Sequence, residues 1–317
     1  SVRCWGRNNN GQAGLGDTAH RGDNPSEMGN ALPAVDLGTG RTARWLSASG
    51  LHACALLDDF SVKCWGTNDF GQLGSGSTQG HGGGPGQMGD ALPVVDLGTG
   101  RTATAIVSGD DHNCAILDDE TVKCWGGNGF GQLGLGDTNN RGDEPGEMGD
   151  LLPTVDLGAG RKAVTLAAFG FTTCAILDNA TLKCWGYNIT GQLGLGDIDN
   201  RGDDPNEMGD VLSAIDLGTG RTVVSVTGSP AHTCALLDDA SVKCWGLNYS
   251  GLLGLGDAEN RGDEPNEMGD VLDPVSLGAG RSVIQLAAGS PSCVLLDDRT
   301  VKCWGRNKHG DLGLGDT

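Results

Sequence analysis

The segment Cys54-Ala55-Leu56-Leu57-Asp58-Asp59-Phe60-Ser61-Val62-Lys63-Cys64-Trp65 decides the fold. Two short apolar runs flank a turn-like break, which is the pattern of a β-hairpin. A hairpin centred on residue 59 sets Cys54 opposite Cys64, and Leu56 opposite Val62 on the same face. Cysteines opposed on adjacent antiparallel strands lie within disulfide reach when their pair is not hydrogen-bonded.

The hairpin recurs along the chain. The tripeptide Cys-Trp-Gly begins at Cys4, Cys64, Cys124, Cys184, Cys244 and Cys303, so four intervals are 60 residues and the last is 59. The short interval loses its residue within Gly289-Ser290-Pro291-Ser292. Self-similarity of this kind is the signature of a tandem-repeat architecture. Ala105-Ile106-Val107 and Val224-Ser225-Val226 read as a strand before the hairpin. Leu92-Pro93-Val94-Val95 reads as an outer strand after it, with proline tolerated at an edge. No helical period persists. Three or four short strands per unit predict an all-β chain of β-propeller blades, with an open β-solenoid array as the alternative.

The runs Trp125-Gly126-Gly127-Asn128-Gly129-Phe130-Gly131-Gln132-Leu133-Gly134-Leu135-Gly136 and Leu286-Ala287-Ala288-Gly289 resemble the regulator of chromosome condensation repeat. That resemblance extends over the whole chain and implies a propeller, usually of seven blades. Residues 1–317 are accordingly expected to form one tandem-repeat domain of five nearly complete blades, incomplete at both ends, as part of a seven-blade parent. Closure with six or five blades is the alternative. The paired cysteines and an acidic insert depart from the best-known members of the family, whose functions are nuclear.

Ten of the 11 cysteines form five pairs ten residues apart: Cys54 and Cys64, Cys114 and Cys124, Cys174 and Cys184, Cys234 and Cys244, Cys293 and Cys303. Disulfides, metal sites and reduced core thiols are the three readings. Zinc asks for four convergent ligands, whereas each unit offers two thiols. His52, His112 and His232 precede a cysteine by two residues, but Thr172 and Pro291 take that place elsewhere. Disulfides are the preferred reading. Each would add about 2–3 kcal/mol in the chain-entropy treatment, and together they imply an oxidising, extracellular compartment. The expected mate of Cys4 would lie ten residues upstream.

A second recurring segment is acidic. Asp137, Asp143, Glu147 and Asp150 crowd one Gly-rich loop, a composition that suits the hard cation Ca²⁺. Arg141 among them argues instead for a salt-bridged turn. In the second repeat Ser77, His81, Gly83, Gly84 and Gln87 replace Asp, Arg, Asp, Glu and Glu together, so the charges act as a unit. Arg-Gly-Asp occurs at Arg21, Arg141, Arg201 and Arg261, always at the same repeat position, and reads as one duplicated structural turn rather than an integrin motif. Asn179, Asn188 and Asn248 head glycosylation sequons. Asn179 sits at a hairpin tip, while Asn188 and Asn248 occupy a turn position that is Asn in every unit.

Trp5, Trp65, Trp125, Trp185, Trp245 and Trp304 recur once per unit and read as packing between blades, with sugar-stacking platforms as the rival. Trp45 stands outside that position, beside Arg41 and Arg44. A formal net charge of −20 repels phosphate backbones and anionic lipid, which disfavours nucleic acid and membrane surfaces. No apolar run is long enough for a membrane span. Catalysis breaks symmetry at one place, and this chain repeats the same residues instead. The expected function is a non-catalytic extracellular scaffold or multivalent binding protein, acting on protein, glycan or copies of itself. A secreted enzyme inhibitor and a regulator of a small GTPase, the latter implied by the family resemblance, are the alternatives.

Overall fold

The β2–β3 hairpin forms as its residues dictate. Asp59 Oδ1 accepts hydrogen bonds from the backbone N–H (3.2 Å) and the hydroxyl (2.6 Å) of Ser61, closing the turn between the two apolar runs. The register follows, with Cys54 paired to Cys64 and Leu56 to Val62. The structure, a computed structural model, describes residues 1–316. Among them, fifteen short strands form five three-stranded antiparallel blades, each in chain order.

The chain divides into two compact units. The first, Ser1–Asp156, holds β1 (Ala43–Ala48), β2 (His52–Leu57) and β3 (Val62–Gly66), then β4 (Ala103–Ser108), β5 (His112–Leu117) and β6 (Val122–Gly126). The second, from Leu157 onward, holds β7 (Ala163–Phe169), β8 (Thr172–Leu177) and β9 (Leu182–Gly186); β10 (Val223–Gly228), β11 (His232–Leu237) and β12 (Val242–Gly246); and β13 (Val283–Ala287), β14 (Ser292–Leu296) and β15 (Val301–Trp304). In each blade the first strand carries one extra residue (Arg44, Thr104, Val164, Val224 or Ile284) at a β-bulge, where the pairing slips. No helix among the described residues is long and apolar enough to cross a membrane.

Both faces of the hairpin are buried, which explains its near-continuous apolar character. In the first unit Cys54, Leu56, Val62 and Cys64 pack against Ala103, Ile106, Ala115 and Trp125 of the next blade. The opposite face, with Ala53, Ala55, Leu57 and Trp65, packs on Val2, Val35 and Leu37. The second unit repeats the arrangement, setting Cys174, Ile176 and Cys184 against Val223, Val226 and Trp245. Trp65, Trp125, Trp185 and Trp245 are fully buried. The indole N–H of Trp125 donates to the carbonyl of Gln72 (3.1 Å), and that of Trp245 to Gln192 (3.0 Å). The rings of Trp65, Trp125 and Trp245 pack between successive repeats of one unit and are not sugar platforms. Trp5 and Trp45 are the exposed ones, at 64% and 60%.

All five cysteine pairs are disulfide-bonded, each with a Cα–Cα distance of 4.1 Å. Four are buried, and Cys293–Cys303 is partly exposed. Cys4 is free, and burial raises its thiol pKa.

One expected element is absent. Leu92-Pro93-Val94-Val95 is not a strand: it leaves the short 3-10 turn Gly89–Ala91 and reaches the blade through one backbone bond, Val95 N–H to Val62 C=O (2.8 Å). Pro93 has no N–H to give, and the repeats with Ser213 or Asp273 in its place make the same single bond, Ile215 N–H to Leu182 C=O and Val275 N–H to Val242 C=O (2.8 Å each).

Candidate functional site

The acidic loop is built on the conserved frame of its own repeat. In the third repeat the side chain of Asn128 is fully buried. Its amide donates to the Asp137 carbonyl (2.7 Å) and its oxygen accepts from Leu133 N–H (3.0 Å), which ties the turn across the Gly-rich run. Asp137 then points one carboxylate oxygen at Arg141, at 2.7 Å. The guanidinium also donates to the carbonyls of Asn139 (2.8 Å) and Asn140 (2.9 Å), while the Arg141 backbone pairs with Gly126. The Arg-Gly-Asp arginine is therefore consumed inside its own loop.

The remaining acids serve different partners. Glu147 Oε2 accepts from the N–H groups of Gly142 (2.9 Å) and Glu144 (3.0 Å), capping the turn around Pro145. Asp143 accepts from the Asn140 side chain (3.4 Å). Asp150 reaches 51 residues back to accept from the N–H (2.8 Å) and hydroxyl (2.6 Å) of Thr99. Those two bonds, with Lys123 and Arg101 nearby, hold its carboxyl below the usual carboxylate range. Asp137, Asp143, Glu147 and Asp150 are thus each taken up by separate partners. No group of three or more His, Cys, Asp or Glu side chains gathers as a metal site among the described residues.

The loop also locks onto the preceding repeat. Gly76 N–H donates to Gly142 C=O (2.9 Å). A Cβ at Gly71, whose φ is +79°, would lie 2.3 Å from the backbone nitrogen of Asp143, so only glycine fits at that crossing.

The second repeat keeps the frame with neutral side chains. Gln87 Oε1 accepts from Gly84 N–H at 2.8 Å, a neutral copy of the Glu147 cap. With Ser77 in the aspartate position there is no acid for an arginine to meet, and His81 keeps only the backbone pairing with Gly66.

The sequons separate by burial. The amide of Asn188 donates to the carbonyls of Asp197 (2.9 Å) and Asp199 (2.9 Å), and Asn248 makes the corresponding bond to Asp257 (3.2 Å). Both side chains are fully buried, so a glycan on either is incompatible with this fold. Asn179 is exposed at its hairpin tip and accepts from the Thr181 hydroxyl (2.7 Å).

Two features escaped the reading of the repeats. At the β4–β5 turn, Asp110 and Asp111 stand half-buried with pKa values raised mainly by burial, and for Asp111 also by the charges of Asp110 and Asp69. The sequence signal was a change from Gly50-Leu51 to Asp110-Asp111 at one repeat position. Buried histidines are the second feature. His52 Nε2 lies 3.0 Å from Asn113 Oδ1, and His232 Nε2 lies 3.0 Å from Ser292 Oγ, each reaching the next blade. Burial pushes the His112 imidazole down to about 3 and His232 to about 4.

The family model described as "Regulator of chromosome condensation (RCC1) repeat" matches residues 46–72, 103–132 and 223–252, which are the hairpins and the turns after them. The ultraviolet-B receptor UVR8 of Arabidopsis thaliana is 26% identical over all of this chain, which spans 63% of the receptor's length. Among solved structures, human WBSCR16 superposes with a TM-score of 0.66 at 20% identity, covering 98% of this chain and 72% of its own. Prp20p of Saccharomyces cerevisiae, whose structure was reported with its binding properties to Gsp1p and histones, gives 0.63 at 18%, covering 88% of this chain and 61% of its own.

Proposed function

The chain belongs to the regulator of chromosome condensation (RCC1) repeat family, and on that footing we propose that it is a non-catalytic binding protein of an oxidising, extracellular compartment that presents near-identical loops to a protein partner. The observation that carries this reading is the repeated loop itself. Successive blades build the same capped turn, with Glu147, Glu207 and Glu267 each gripping two backbone N–H groups. Glu144, Asp204 and Glu264 stay exposed at the tips. A chain that repeats one exposed tip suits multivalent recognition, in which a weak contact gains from its copies. The buried disulfides support the compartment, because such bonds do not persist in a reducing cytosol.

The test is retention of secreted proteins on the immobilised full chain, comparing Glu144→Ser, Asp204→Ser and Glu264→Ser singly and together. The singles are expected to weaken retention slightly and the triple variant far more than their product. Equal retention by the parent and the triple variant overturns the binding role of the loops. Free thiols at Cys114 and Cys124 in native material overturn the compartment.

A further inference from the structure

We propose that a groove in the second unit, between the Gly194–Gly196 turn and the Pro265–Val271 loop, receives a basic side chain of a protein partner, arginine before lysine. The groove holds about 550 Å³. Leu195 and Met268 contribute apolar surface, and Val271, 71% exposed, adds more. Asp216 and Glu267 supply carboxylates, Asp270, bonded through both oxygens to Thr219 (2.8 and 2.5 Å), adds only its charge, and no Lys or Arg lines the groove. Lys243 and Arg221 act on Asp270 from outside that lining. Glu267 spends only Oε2 on the N–H groups of Gly262 and Glu264, and Asp216 spends only Oδ1, on Gly218 N–H (2.9 Å). One oxygen of each is left for a donor from outside.

This combination selects its occupant. An aliphatic stem with a cationic end lies along apolar surface and places its charge among carboxylates. A guanidinium adds paired, directional N–H donors that an ammonium lacks. The net charge of −20 favours approach by basic partners. Pro33, Pro93 and Pro153 stand where Ser213 lines this groove, and Asp273 follows in the next repeat, so here a proline ring is exchanged for a small hydroxyl-bearing side chain. The repeat symmetry breaks at a cavity, as a specific contact requires.

The inference rests on the protein-binding reading above and refines it. Its test is amide-resolved NMR of the full chain titrated with the capped tripeptide Leu-Arg-Leu and its Lys and Gln analogues. Shifts are expected to concentrate at Gly194, Gly196 and Met268–Val271, with the Gln analogue at least tenfold weaker than Arg and Lys between them. Ser213→Pro is expected to weaken the Arg peptide at least tenfold without changing the charge. Glu267→Gln keeps the loop cap, as Gln87 does in the second repeat, and is expected to weaken it several-fold. Equal binding of the Arg and Gln peptides, shifts spread over the acidic surface, or indifference to both substitutions overturns the slot. If loop-dependent retention of a partner survives that result, the slot alone is wrong; if retention is absent as well, the binding role falls with it.

Discussion

Lys123 holds its buried ammonium 2.7 Å from the carbonyl oxygen of Gly149 and 3.0 Å from that of Leu97, each 26 residues away. Lys63 makes the same pair of bonds to Gly89 and Leu37, and Lys183 to Gly209 and Leu157. Each of these three lysines thus fastens the end of the acidic loop to its own blade. Replacing it leaves two buried carbonyls without a charged donor, and hydrogen bonds to charged groups contribute about 1.5–3 kcal/mol each. Lys123→Met is expected to cost about 2–4 kcal/mol, read from denaturant unfolding at pH 7. A loss below about 0.5 kcal/mol would mean that water replaces the ammonium.

The Asp137–Arg141 pair is partly buried, and the second repeat supplies its neutral counterpart in Ser77 and His81. Asp137→Ser alone leaves a guanidinium without its acid, and Arg141→His alone leaves the acid without its cation. The double variant reproduces a loop that this chain already folds. A double-mutant cycle is expected to give a coupling of about 1 kcal/mol, reduced by salt, because partly exposed ion pairs contribute on that scale. Strict additivity would show that the five charges were lost from the second repeat independently.

Disulfide accessibility follows burial. Cys54–Cys64, Cys114–Cys124, Cys174–Cys184 and Cys234–Cys244 are buried, whereas Cys293–Cys303 is partly exposed in the last blade. Under native conditions with rising dithiothreitol, alkylation followed by peptide mass spectrometry should find Cys293 and Cys303 labelled first. The other four pairs are expected to react only as their blades open. Replacing Cys114 and Cys124 by Ser is expected to cost about 2–3 kcal/mol. Simultaneous labelling of all ten sulfurs at low reductant would contradict the differential burial.

The hairpin was legible because turn length sets register, and register sets which residues face each other. Cys54 and Cys64 needed only that count. Lys63 was not legible, since its partners are backbone carbonyls 26 residues away and carry no side-chain signature. Leu92-Pro93-Val94-Val95 has strand composition, but only Val95 pairs with the blade, as Ile215 and Val275 do in repeats without that proline. The partners of the acidic loop were hidden for a related reason. Composition shows how many carboxylates are close in sequence, whereas Glu147 and Asp150 are claimed by N–H groups that only the folded backbone presents. Asp110 and Asp111 were hidden among other aspartate pairs that do close hairpin turns, such as Asp118-Asp119.

The buried imidazoles give the protein an acid sensitivity that begins well above the carboxylate range. His112 falls from 6.5 to about 3 through burial, with the neighbouring His52 charge adding to the shift. Between those values the unfolded chain binds a proton that the folded chain refuses, so stability rises with pH across the window and is lost as pH falls. Each such group contributes a slope of up to about 1.4 kcal/mol per pH unit. The hydrogen-bonded acids Asp59, Asp119 and Asp239 are shifted down, so their stabilisation is lost only as pH falls below the ordinary carboxylate range. Asp110 and Asp111, shifted up, act in the opposite sense and gain from protonation. His112→Thr installs the residue found at Thr172 and is expected to flatten the loss of unfolding free energy between pH 6.5 and 4.5, while Asp111→Asn should steepen it. Denaturant unfolding across that range checks both. An unchanged slope in His112→Thr would place the acid response elsewhere in the chain.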